Sequence, residues 1–155
     1  MLLPQAVQDG FVAATNALDG SNMLADHPVN PIGSFTDPEY AQVGLTETKA
    51  REAHAVVVVK VPFDTTTRTI IDGHTTGFCK LIVDRQTSRI LGCHIIGERA
   101  VDIAQVIAVA MTAEMTVDEL ARIPLSFPTY AGILGRAAYR AARELGHDVG
   151  WTRVP

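Results

Sequence analysis

The chain has 155 residues, of which 47% are apolar and 19% charged, and a net charge of −4; this is the make-up of one folded domain with its own core. That balance holds no Lys/Arg block, which argues against nucleic acid as a partner, since phosphate binding needs a basic face. No apolar run reaches bilayer length, and Met1-Leu2-Leu3-Pro4 has neither a charged n-region nor a cleavage site, so the expectation is a cytoplasmic protein with no membrane partner.

In chain order, Pro4 to Leu18 reads as a helix. Pro4 lies in its first turn, Gly20 follows its end, and Val7, Phe11, Ala14 and Leu18 recur at helical spacing. Ser21 to Asn30 reads as a loop. Ile32–Phe35 and Tyr40–Leu45 read as short extended pieces on either side of an Asp37-Pro38 turn. Asp37 and Glu39 flank that proline as paired carboxylates, but turn chemistry accounts for them, because Asp before Pro initiates turns. Thr46 is the predicted N-cap of a helix that ends near His54.

The run "AVVVVKVPF" is the clearest strand. Its valines are β-branched and stiff, and the lack of alternation predicts a strand central in its sheet or covered on both faces. "GFCKLIVD" and "RILGCHIIG" form a predicted hairpin joined by Arg85-Gln86-Thr87-Ser88. "ERAVDIAQVIAVAMTAEM" reads as a nearly all-apolar helix, which must be buried against the sheet or a partner. Thr116 with Glu119 suggests a capping box on a shorter helix. The last helix is predicted from about Pro128 to Leu145, stopping at Gly146. The fold class is therefore α+β: an antiparallel sheet of about five strands with helices packed on one face, plus an N-terminal helix.

Residues that carry chemistry are few. There is no Gly-rich nucleotide fingerprint, no P-loop and no C-x-x-C pair. Cys79 and Cys93 are the only cysteines, and they read first as reduced core thiols. If Asp84 pairs with Arg89, counting along the hairpin sets Cys79 opposite His94, and Cys79, Cys93 and His94 become weak candidates for a soft metal ion. Arg136, Arg140 and Arg143 share one face of the last helix, either as solvated charges or as part of an interface.

The run "SFTDPEYAQVGLTETKAREAH" is similar to the opening of the C-terminal interface domain of the flavin-dependent pyridine nucleotide–disulfide oxidoreductases. Phe35 to Glu47 matches the family's Phe-Thr-x-Pro-Glu-x-Ala-x-Val-Gly-x-Thr-Glu pattern. "GFCKLIVDRQTSRILGCHIIGERAVDIAQ" resembles the family's central hairpin and following helix. "PQAVQDGFVAATNAL" resembles the helix that joins the flavin domain to the interface domain. The resemblance implies residues 1–20 as a joining helix, 29–147 as an interface domain and 148–155 as a tail. It implies FAD and NAD(P)H as cofactors of a parent enzyme, bound on N-terminal flavin and nicotinamide domains that these residues do not include. Gln5 and Gln8 would then lie at the flavin side of the joining helix. The chain alone is expected to hold no cofactor and to be catalytically silent.

In disulfide-reducing members the loop entering the last helix reads His-Pro-Thr-x-x-Glu, and the His works on the partner subunit's thiols. Here the run is Phe127-Pro128-Thr129-Tyr130-Ala131-Gly132, so Phe127 and Gly132 occupy the dyad positions. A phenyl ring cannot move a proton. The resemblance therefore points to a mercuric-reductase-like parent, although Phe127 lacks the hydroxyl carried there by that branch and "WTRVP" lacks its vicinal cysteines. The expected assembly is a two-fold homodimer, with Phe127, Pro128, Thr129, Tyr130, Arg136 and Tyr139 at the interface. The alternative is a stand-alone small binding protein for a soft metal ion.

Overall fold

The computed structural model describes residues 3–27 and 29–150. Met1 and Leu2, Pro28 in the first loop, and Trp151 to Pro155 in the expected tail lie outside the described residues. The helices are α1 (Leu3–Asp19), α2 (Glu47–Ala53), α3 (Thr67–Asp72), α4 (Ala100–Thr112), α5 (Val117–Arg122) and α6 (Gly132–Glu144). The strands are β1 (Ile32–Ser34), β2 (Tyr40–Gly44), β3 (Val56–Pro62), β4 (Phe78–Asp84) and β5 (Ile90–Ile96). They form one five-stranded antiparallel sheet in the order β1-β2-β5-β4-β3, so the predicted fold class matches.

The core lies between the sheet and α4 and α6. Val57, Val59, Val61, Leu81, Val83 and Ile95 point from the strands into it. Ile103, Ile107, Ile133 and Leu134 meet them from the helices. Four alanines of α6, Ala137, Ala138, Ala141 and Ala142, have no exposed surface, so this helix packs close against β3 and β4. The short α2 lies over the other face, where Glu47 pairs with Lys80 at 3.3 Å.

Local sequence signals explain most element ends. The Thr46 hydroxyl accepts the Lys49 N–H, and Thr116 and Glu119 form the expected capping box. Glu39 does more than shape a turn: its carboxylate accepts the Val101 N–H at 3.1 Å, across 62 residues, and so holds the start of α4.

Four expectations are corrected. First, β3 is an edge strand, not a central one. Val57, Val59 and Val61 are buried while Val56 and Val58 are half-buried and Lys60 is exposed; β-branching favours a strand whatever its place in the sheet, so the valine run did not report position. Second, the hairpin register shifts by one residue between Ile82 and Val83. The Asp84 N–H does donate to the Arg89 carbonyl, but Leu91 is an extra residue in β5, and beyond it Cys79 pairs with Ile95, not His94. Third, α6 starts at Gly132 rather than Pro128. The Thr129 hydroxyl donates back to the Ser126 carbonyl instead of capping, and the entry turn is closed by Gly132 N–H to Thr129 O and Ile133 N–H to Tyr130 O. Fourth, α4 is not apolar all round. Its outward strip is Asp102, Gln105, Val109 and Thr112, and of these only Val109 exposes a large apolar side chain.

Gly77 is fixed by close approach. Its φ is +121°, and a Cβ there would lie 1.9 Å from the Ile96 carbonyl oxygen. Gly77→Ala should therefore destabilise the fold by roughly 3 kcal/mol or more, seen as a lower urea midpoint at unchanged slope.

Candidate interface site

The loop before α6 is built from below by α3, an element with no counterpart in the sequence reading. The Tyr130 hydroxyl donates to Asp72 Oδ2 at 2.7 Å. Arg68 Nε donates to the same oxygen at 2.7 Å, one helical turn back. His74 and Glu98 stand next to this group, 3.8 Å apart. The hydrogen bond from Tyr130, opposed by desolvation and helped by Arg68, holds the Asp72 carboxyl below its ordinary value. Burial, then the bond to Asp72, pushes the Tyr130 phenol up. Tyr130 is thus turned inward and tied to the body of the domain. The Arg68/Asp72 spacing of four and Gly73, in the left-handed conformation at the helix end, were the sequence signals for α3.

Phe127 is the opposite case. It is 80% exposed, on a loop whose Phe127–Pro128 peptide is cis. The side chains around it hold the backbone but leave this ring in water. Gly132 does not need to be glycine: a Cβ there would meet nothing within 4 Å, and its φ is not positive. The two positions that would carry the dyad are therefore sterically open, and this sequence fills them with a phenyl ring and a hydrogen. Arg136 is exposed on the outer side of α6, and Tyr139 is half-buried beneath the Arg143 guanidinium at 5.9 Å. Pro128 and Thr129 are half-buried in the loop.

The other predicted residues lie elsewhere. Gln5 accepts a hydrogen bond from Asn30 at 3.1 Å, and Gln8 rims a groove between α1 and the following loop. Cys79 and Cys93 do come together, with Sγ atoms 3.7 Å apart in the buried face of the sheet. The hydrogen bond to Cys79, then burial, holds the Cys93 thiol well above its usual range, whereas a metal needs thiolate. His94 is on the opposite face, beside Lys80, with its Nε2 3.1 Å from the Leu45 carbonyl. The register shift separates it from the thiols, and the described residues contain no grouping of three or more His, Cys, Asp or Glu that could hold a metal ion. No helix among them is long and apolar enough to cross a membrane.

A family model described as the pyridine nucleotide-disulphide oxidoreductase dimerisation domain matches residues 30–138. A mercuric reductase of Lysinibacillus sphaericus is 36% identical over 141 residues, which is 90% of this chain and 26% of that protein. A dihydrolipoyl dehydrogenase of Haloferax volcanii is 32% identical over 150 residues, 96% of this chain and 31% of that protein. The chain thus spans between a quarter and a third of these relatives. Among solved structures, LpdA from Mycobacterium tuberculosis superposes with a TM-score of 0.73 at 27% identity, covering 83% of this chain and 28% of that one. The Cu(II) complex of a mutant of RclA, an HOCl-induced flavoprotein disulfide reductase from Escherichia coli, gives 0.76 at 26%, covering 84% and 30%.

Two measurements test the site. In Tyr130→Phe, Asp72 loses the hydrogen bond that most depresses its carboxyl, so its carbon-13 NMR titration should move to higher pH; an unmoved titration would show that the bond does not form in solution. Gly132→Ala should raise unfolding stability by about 0.5–1 kcal/mol, because the position is open and helical; a loss of stability would mean that the space is not there.

Proposed function

This chain belongs to the pyridine nucleotide-disulphide oxidoreductase dimerisation-domain family, and from that premise we propose that it serves as the dimerisation module of a FAD-dependent NAD(P)H oxidoreductase of the mercuric-reductase-like kind, silent as a catalyst by itself. The observation that carries this reading is Phe127, exposed at the head of α6 where disulfide-reducing members have their proton-transferring His. An imidazole there can take and return a proton near neutral pH; a benzyl side chain can only supply apolar contact. The module would therefore give the partner subunit shape and apolar cover, and no acid–base group from position 127 or 132.

In this reading residues 1–20 are the joining helix, with Gln5 and Gln8 on its flavin side, residues 29–147 the interface domain, and 148–155 a tail. FAD and NAD(P)H would bind on folds outside these 155 residues. The homodimer contact would run through Phe127, Pro128, Thr129, Arg136 and Tyr139, with Tyr130 bracing the loop from behind. The match to the mercuric reductases supports that branch for the parent, and mercuric ion is then the first electron acceptor to try.

The purified chain should be colourless and inert toward NADPH with either a disulfide or mercuric ion, and should sediment as a dimer at micromolar concentration. Phe127→Asp should weaken that dimer by at least roughly tenfold, since it sets a charge into an apolar contact. A preparation with one flavin per chain, or a dimer indifferent to Phe127→Asp, would overturn the corresponding half of the reading.

A further inference from the structure

An open sheet has two edges, and in this one they differ. β1 is three residues long, which leaves little for another strand to pair with. β3 is seven residues long and forms the other edge. Two backbone bonds fix which way its groups face. The Ala55 carbonyl accepts the Arg85 N–H, and the Phe63 N–H donates to the Gly77 carbonyl. In the antiparallel register of β3 with β4, such bonded positions alternate with unbonded ones. Val57, Val59 and Val61 therefore give their N–H and C=O groups to β4. Val56, Val58 and Lys60 turn theirs to the free edge. Pro62 follows with no N–H to offer.

The composition makes this edge adhesive. Val56 to Val61 is five valines and one lysine, and a β-branched run with a single charge pairs readily with a copy of itself. One antiparallel register suits such pairing. Centred on Val58, it sets each Val58 against the other and Val56 against Lys60 of the second copy. Every outward N–H and C=O of the three residues then has a partner, and no two charges meet. Centred on Lys60 instead, the pairing would set ammonium against ammonium and bring in Pro62, which cannot donate.

The arginine stripe of α6 (Arg136, Arg140 and Arg143) meets this edge at one place. Arg140 Nη1 donates to the Lys60 carbonyl at 3.4 Å. Ion pairing does not account for its position, since none of the ion pairs of arginine among the described residues uses Arg140. The Lys60 carbonyl is the acceptor that the Val58-centred register needs for the Val56 N–H of the second copy. We infer that the free edge of β3 is a self-pairing surface for β3 of a second copy, and that Arg140 holds it closed. The guanidinium occupies the acceptor and sets a charge where the incoming strand would lie; Lys60 adds a second charge to the same edge. This surface uses none of the residues assigned to the dimer contact above, and the inference does not depend on that contact.

Arg140→Ala in the full chain tests it. Two-fold pairing would regain the Lys60 carbonyl twice, so the concentration at which assemblies larger than the wild-type species form should fall by roughly tenfold. Sedimentation and thioflavin T fluorescence read this. Hydrogen exchange reads the surface: the Val58 and Lys60 amides should exchange faster than those of Val57 and Val59 in the wild type and become protected in the variant's assemblies. Arg143→Ala removes the same charge one turn along α6 and should behave as the wild type does. Adding Val56→Lys to Arg140→Ala should reverse the assembly, because the register sets that position against Lys60 at both ends. A urea midpoint near that of the wild type checks that each variant is folded. Arg140→Ala that assembles no more than the wild type overturns the inference. Assembly that Arg143→Ala matches, that leaves the Val58 and Lys60 amides unprotected, or that Val56→Lys does not reverse also overturns it. A wild-type chain that sediments as a monomer would count against the dimer reading and leave this one standing.

Discussion

The close packing of α6 on the sheet is the constraint on which the rest of the molecule depends. Alanines occupy the four buried positions of its middle and end, and they remove the side-chain bulk that would hold the helix away from β3 and β4. A helix held that close has little rotational freedom, because turning it would drive larger residues into a dense core. Its three arginines are thereby fixed outward and its first turn is fixed at one end of the sheet. The place of the loop before it, and of Phe127, follows.

The second anchor works at the same end. Tyr130 reaches under the loop to Asp72, which Arg68 also holds. The loop is thus tied at its back, and its front, Phe127, is left open. Surfaces that bind other chains are often built this way, with a presenting residue on a loop that the scaffold fixes. What this loop presents is an apolar ring, with no group that could move a proton. Gly132, at the start of α6, has room for a side chain, so the fold does not require glycine there.

The buried thiols show how a small backbone irregularity redirects chemistry. Without Leu91 as an extra residue, Cys79 and His94 would face each other. With it, the two cysteines share the dry face of the sheet and His94 stands on the other. The close pair is then a packing contact between polarizable side chains in a core, while the outer face keeps His94 and Lys80 beside α2.

Much of this was legible in the chain itself. Capping residues, β-branched runs and helical spacing placed nearly every element, because these signals act over a few residues and need no distant partner. The Phe35–Glu47 motif carried the family. The sequence did not reveal that β3 is an edge strand, that one residue bulges from β5, that Glu39 holds the start of α4, or that Tyr130 is tied to α3. Each of those depends on which groups meet across 50 or more residues, or on a ladder that one extra residue shifts, and such pairings are decided only when the whole core closes. The arginine stripe lies between the two cases. Its spacing is in the sequence, but that none of the ion pairs among the described residues reaches it is a property of the fold, since only the packed structure decides which charges come within reach of one another.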